Sequence, residues 1–556
     1  MPYGYVQCGL LRCPVIVIGK RRRWFDVVFP FTGNGVVARH GDSYRWNSAV
    51  ECRTSGTTKC VNGGMTMTTT MRRLKISEDR RYFEYEDGEP FAWLADTAWT
   101  LPQRIMWQDV EHYMRLRRAQ GFTVAQIVAL DPERDVLMRT PSGCPALHDG
   151  DLNQPNEEYF AYLDRILEAA ERHGLYVLLL PVWGQLVVGD NWMGETFEKT
   201  VTEENARGFG EWIGRRYRNR SNVLWCLGGD RQPIHKGVDY RNVWRRLAEG
   251  LAKGVLGADL RYDDPDPRWR DLPLTYHACH ELETGECSTM SYWTDDEAWI
   301  SYIMLQSGHG VDARNFDLIA KEYDRARPMP VWDGEPAYEM MPTSWPDFTQ
   351  FHDSWMVRRR AYWGLLSGAF GHTYGHCSVW SSIGERERDA MFRKTWFEAL
   401  TDEGAGQMRY LRDAMESLGL GRCRPCRDVL AENPDDLEHH MQAAMSADGE
   451  ALLVYLPSGG EAILHRTRVS ELFCQSPEGL GVLWYSPRNG DRCEGRLIEE
   501  DSRLVGVAPT AGRGEDWLLV IAPVDRMPDI VVGDYGEGGE QADGEERRGP
   551  AKVFQW

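Results

Sequence analysis

The chain has no apolar run approaching the roughly 18–20 residues that a membrane-spanning helix needs. A secretory signal is also missing: the apolar stretch Pro14–Gly19 is short and runs straight into Lys20-Arg21-Arg22-Arg23. On these two absences the chain reads as cytoplasmic. Positive charge is scarce, with 64 Lys and Arg against 84 Asp and Glu and a net charge of -20. That excludes a nucleic-acid partner, which needs a basic face, and offers nothing to an acidic membrane surface. No G-x-G-x-x-G follows the first strand-like run, which argues against a dinucleotide fold. No H-E-x-x-H occurs, and Cys423-x-x-Cys426 has no second pair at zinc-ribbon spacing. The expectation is therefore no metal and no cofactor. The thirteen cysteines, odd in number and scattered, read as reduced thiols.

What is present is regular. From Phe91 to about Trp380, short apolar runs alternate with amphipathic helices. Strands are expected at Phe91–Leu94, Phe122–Leu130, Leu175–Leu180, Asn222–Leu227, Leu274–His277, Trp299–Leu305, Pro330–Trp332 and Phe370–Tyr374. Runs without polar alternation are what a parallel strand covered on both faces requires. Helices are expected between them, for instance after Asn156, whose side chain can cap and whose first turn carries Glu157 and Glu158. Eight such units in 556 residues predict an α/β fold, a closed (β/α)8 barrel, with room for a smaller domain. After about Pro425 short β runs and the turn signals Asp448-Gly449 and Asn489-Gly490 predict an antiparallel, sandwich-like β domain. The expected division is a leader or over-extended start over 1–70, the barrel over 71–422, the β domain over 423–530 and a disordered acidic tail over 531–556.

In such a barrel, chemistry sits where the strands end. The polar and aromatic residues at those ends include Asp96 and Trp99, Gln126 or Asp131, Trp183 and Gln185, Asp230, His277, Gln306 and His309, Asp333 and Glu335, and Tyr374 and Trp380. Carboxylates, amides, imidazoles and indoles with few cations suit a neutral, polyhydroxylated ligand. Breaking a glycosidic bond takes two carboxyl groups flanking one carbon. Asp230 and Glu335 follow strands four and seven, which face each other across a barrel mouth, and each follows glycine, which permits a sharp turn. A helix cap for Asp230 and a salt bridge to a rim Arg for Glu335 explain either residue alone about as well; the two together favour catalysis. Asp96, Trp99, Gln126, Trp183, His277, Gln306, His309, Tyr374 and Trp380 are the candidate substrate contacts. Trp225 lies inside a strand and reads as core, as do most of the 22 tryptophans.

Asp96-Thr97-Ala98-Trp99, Gly228-Gly229-Asp230, Gln306-Ser307-Gly308-His309, Asp333-Gly334-Glu335-Pro336 and Thr373-Tyr374-Gly375, in that order, resemble the apiosidase-like glycoside hydrolases. The resemblance spans roughly Leu74 to Ala522. It implies a clan A barrel followed by a small β domain labelled collagen-binding, and a retaining mechanism with Asp230 as acid/base and Glu335 as nucleophile. It also implies a carbohydrate substrate of plant type. The competing expectation is a non-catalytic carbohydrate-binding or adhesion protein that keeps the barrel scaffold.

Overall fold

The computed structural model describes residues 71–133, 135–191, 194–473 and 479–536. The leader expected at 1–70, and the tail beyond Gly536, lie outside them. Eight parallel strands form the barrel: β1 (Trp93–Thr97), β2 (Val124–Val128), β3 (Tyr176–Leu180), β4 (Val223–Gly228), β5 (Leu274–His277), β6 (Ile303–Leu305), β7 (Val331–Asp333) and β8 (Gly371–Tyr374). They pair in the order β6-β7-β8-β1-β2-β3-β4-β5. Every residue of these strands is buried, which is why the sequence shows continuous apolar runs.

Around the barrel run α1 (Trp107–Ala119), α2 (Glu157–Arg172), α3 (Glu203–Tyr217), α4 (Arg241–Leu256), α5 (Asn315–Tyr323), α6 (Ser354–Leu366) and α7 (Glu403–Leu418). The Asn156 side chain accepts the Glu158 N–H, as its position predicts. Gly210, Gly214, Gly250 and Gly254 let α3 and α4 touch backbone to backbone: a Cβ on Gly250 would stand 2.3 Å from the Arg207 carbonyl oxygen.

Closure between β5 and β6 is narrow. One parallel bridge joins Leu274 to Ile300, and the Ser301 N–H donates to the Leu274 carbonyl at 2.8 Å. The Thr289 hydroxyl completes the seam by donating to the Tyr276 carbonyl at 2.7 Å and accepting the Met304 N–H at 2.9 Å. This insertion shortens the strand expected from Trp299; only Ile303–Leu305 pairs as strand. Opposite the rim, Phe83 from an N-terminal hairpin plugs the floor. Its ring lies 5.1–5.3 Å from those of Trp93, Tyr302 and Phe370. Trp225, on β4, is core as expected, 4% exposed.

The C-terminal part is a sandwich of two antiparallel sheets. One contains β9 (Arg424–Pro425), β10 (Gln442–Met445), β11 (Leu452–Leu456), β13 (Leu480–Tyr485), β14 (Arg492–Glu494) and β17 (Trp517–Pro523). Its strand order is β9-β10-β11-β17-β13-β14. The other pairs β12 (Gly459–His465) with β16 (Arg503–Ala511), and β16 with β15 (Leu497–Glu500). Alternation along β11 sorts its side chains: Leu452, Val454 and Leu456 enter the sandwich core, whereas Leu453 and Tyr455 join the barrel core. Tyr455 stacks on Tyr362 of α6 at 4.9 Å, and Arg358 of α6 meets Asp516 in a buried pair at 2.7 Å. Past β17, Tyr535 donates to Asp413 of α7 at 2.7 Å, so the described start of the expected tail is docked.

Candidate active site

The backbone turns hard where β4 ends. Gly228, Gly229 and Asp230 all have positive φ, at 85°, 113° and 50°. A Cβ on Gly228 would stand 2.4 Å from the His277 carbonyl oxygen, and one on Gly229 would stand 2.5 Å from the Trp183 ring, so neither position tolerates a side chain. The turn lifts Asp230, itself in a left-handed conformation costing of order 1 kcal/mol or more, over the mouth. Its Oδ1 accepts from Gln306 Nε2 at 3.0 Å, and its Oδ2 from Arg231 Nη1 at 3.0 Å. Across the mouth Glu335 follows β7, its side chain about nine-tenths buried.

One imidazole spans the two. His277, at the end of β5 and fully buried, has Nε2 2.8 Å from Glu335 Oε2 and Nδ1 3.2 Å from the Asp230 N–H. A proton on Nε2 is donated to Glu335, while Nδ1 accepts the Asp230 N–H when unprotonated and donates to the Ala278 carbonyl, 2.9 Å away, when protonated. His309 Nε2 stands 3.6 Å from the other Glu335 oxygen. Burial would raise the Glu335 carboxyl, but these two imidazoles outweigh it and hold the group well below the usual carboxylate range. The Tyr338 ring packs on His309 at 4.5 Å; burial, then the Glu335 charge, pushes its phenol up, so it stays a proton donor. Gly375 makes room for that ring, since a Cβ there would overlap it at 2.1 Å.

These groups surround a cavity of about 210 Å³ lined by Trp99, Trp183, Asp230, Gln306, His309, Glu335 and Trp380 among the expected residues. Trp99 and Trp183 lie 5.3 Å apart and both pack against His277. His277 thus stands behind Glu335 and does not line the cavity. Three further expected contacts do not reach it either. Asp96 is fully buried, accepting from Arg117 Nε at 2.7 Å and the Tyr113 hydroxyl at 2.6 Å; it points outward from β1 and anchors α1. Tyr374, its register neighbour on β8, also points outward and donates to Glu339 at 2.5 Å. Gln126 points inward but one layer too deep, donating to the Gly334 carbonyl at 3.0 Å. The cavity gains residues that the strand ends did not single out: Glu133, which accepts from Gln185 Nε2 at 2.9 Å, and Tyr338, Met341, Trp345 and Met391 from the loops after β7 and β8. Among the described residues no group of three or more His, Cys, Asp or Glu is arranged to hold a metal ion, and no helix is long and apolar enough to cross a membrane.

An eight-stranded barrel whose fourth and seventh strands deliver carboxylates to one sugar-sized cavity defines a class, the barrel glycoside hydrolases. The chain belongs to the apiosidase-like family of these enzymes: the model described as "Apiosidase-like, catalytic domain" matches residues 77–421. A second model, "Putative collagen-binding domain of a collagenase", matches residues 425–522. Among solved structures, one described as a glycoside hydrolase is 25% identical with a TM-score of 0.67, over 83% of this chain and 98% of its own. A glycoside hydrolase family 5 protein from Bacteroides vulgatus ATCC 8482 is likewise 25% identical, with a TM-score of 0.68, over 82% of this chain and 94% of its own. No curated protein matches the chain.

Proposed function

We propose that this protein is a retaining glycosidase acting on a plant-type oligo- or polysaccharide, with Glu335 as nucleophile and Asp230 as acid/base. The carrying observation is the His277 bridge, which ties the Asp230 backbone to a Glu335 carboxylate held ionised. An ionised, buried carboxylate is what attack on an anomeric carbon requires. Asp230 protonates the departing glycosidic oxygen while Glu335 Oε attacks, giving a glycosyl ester. Asp230, now a carboxylate, takes a proton from water as that water attacks the same carbon and releases Glu335. Gln306 and Arg231 fix the direction of the Asp230 carboxyl. Trp99, Trp183 and Trp380 offer flat apolar faces to the sugar. Family membership supports the plant-type substrate.

The test is a panel of 4-nitrophenyl glycosides, with the anomeric configuration of the product followed by NMR and the nucleophile trapped with the matching 2-fluoroglycoside. Retention and a labelled peptide containing Glu335 are expected. An inverted product, or a label on another peptide, overturns the assignment.

A further inference from the structure

Beside the catalytic cavity, between the loops that follow β1 and β2, lies a second one of about 410 Å³. We infer that it binds a further neutral sugar unit of the same substrate chain; its ligand class rests on the glycosidase reading. The two cavities are neighbours in the fold. Asp131 lines both, and Thr100 in the second follows directly on Trp99 in the first.

The lining selects against charge. Among the described residues its cations are Arg104 and Arg139 and its anions Asp131 and Asp135, in equal number. Arg104 is already spent on Glu387, and Arg139 stands 3.5 Å from Asp135. Among the described residues a carboxylate or phosphate ligand would find no guanidinium without a carboxylate beside it, whereas hydroxyl groups can exchange hydrogen bonds with every one of these side chains.

Gln103 points the same way. It is 9% exposed, and its Nε2 faces the Ala129 carbonyl at 3.0 Å and the Tyr159 hydroxyl at 2.6 Å. Those acceptors fix the amide orientation and leave Oε1 buried without a donor. Among the described residues no donor reaches that oxygen, and a sugar hydroxyl meets it once the Gln103 side chain turns toward the cavity it lines. Met106, 44% exposed, and Pro141 add apolar surface for a sugar's C–H face.

Two blocking substitutions from different segments test the inference: Met106→Trp and Pro141→Trp, each checked for folding by thermal melt. Neither residue touches the catalytic cavity. Turnover of the 4-nitrophenyl monoglycoside is expected to stay within about twofold of wild type, while kcat/KM for trisaccharides ending in the same sugar falls by roughly tenfold, the worth of one or two lost hydrogen bonds. Equal effects on short and long substrates overturn the second site and leave the glycosidase reading standing. Should the wild type turn over no glycoside, that reading fails by itself, and the cavity is then judged by titrating xylotriose, cellotriose and galactotriose calorimetrically. Weaker binding of a triose in both variants upholds the site; no binding by wild type, or binding unchanged in both variants, overturns it.

Discussion

The two ends of the barrel are built from the same eight strands to opposite rules. At the floor Phe83, Trp93, Tyr302, Trp332 and Phe370 pack ring against ring, and all five are buried. At the rim three successive residues sit at positive φ, a carboxylate lies buried between two imidazoles, and Tyr338 carries a buried hydroxyl without a hydrogen-bond partner. Trp93 Nε1 at the floor is also a buried donor without a partner, so the two ends differ in buried charge and in the strained backbone around Asp230 rather than in hydrogen-bond satisfaction. Strain of that kind persists only where surrounding structure imposes it, and it marks the end where function is read. Stability and chemistry are thus separable along the strand axis, and substitutions at the two ends should separate them.

The largest effect is expected at the rim. Glu335→Gln should reduce kcat by on the order of 10⁴–10⁶-fold while lowering the thermal midpoint less than a floor substitution does, because it gives up the favourable contacts of the ionised carboxylate but keeps the shape and an oxygen that accepts from His277. A variant retaining a tenth of wild-type turnover would place the nucleophile elsewhere. The floor should respond in the opposite sense. Phe83→Ala should cost about 3–5 kcal/mol of stability, read from denaturant melts, with the pH–rate profile unmoved at temperatures where the variant remains folded. Asp96 sharpens the division because it sits near the rim in sequence but outside the cavity. Breaking its buried pair with Arg117 by Asp96→Ala should cost about 3–5 kcal/mol. KM for the monoglycoside should not change; a large rise would restore Asp96 as a sugar contact.

The parts of the molecule that the sequence announces are those governed by short-range rules. Continuous apolar runs mark the eight strands, Asn156 marks a helix start, and the glycines before Asp230 and Glu335 mark turns that expose an acid. Asp96 and Tyr374 were misplaced through parity. Adjacent strand residues face opposite sides, and these two face the helix layer, where Arg117 approaches both. The clue was available, since Arg117 and Tyr113 lie four apart on one face of α1. Gln126 has the correct parity and the wrong depth, and depth depends on the stagger of the barrel rather than on spacing within a strand. Tyr338, Glu133 and Met391 come from loops, where no period constrains the side chain. Arg231 escapes a reading that finds few cations at the rim, yet it stands 3.0 Å from the acid itself. The sandwich strands β12 and β16 carry no continuous apolar run of this kind, because one face of each is exposed.

The smallest effect is the most informative about the rim. His277→Gln keeps a donor within reach of Glu335 but removes the imidazole that, with His309, holds that carboxyl below its ordinary range. The carboxylate form is the one that attacks, so activity is present above its pKa and lost as pH falls through it. Raising that pKa should move the acid limb of kcat/KM upward by about one to two pH units, equivalent to about 1.4–2.7 kcal/mol. Stability follows the same sign. A carboxyl depressed in the folded state contributes above its unfolded pKa and loses that contribution as pH falls, so the variant should lose less on acidification than wild type does. Asp230 also loses an acceptor for its backbone N–H, which should lower kcat at the optimum but cannot by itself displace the acid limb. A limb that stays in place would show that a group other than Glu335 sets it, and the contrast between a relaxed floor and a charged, constrained rim would then lose its chemical half.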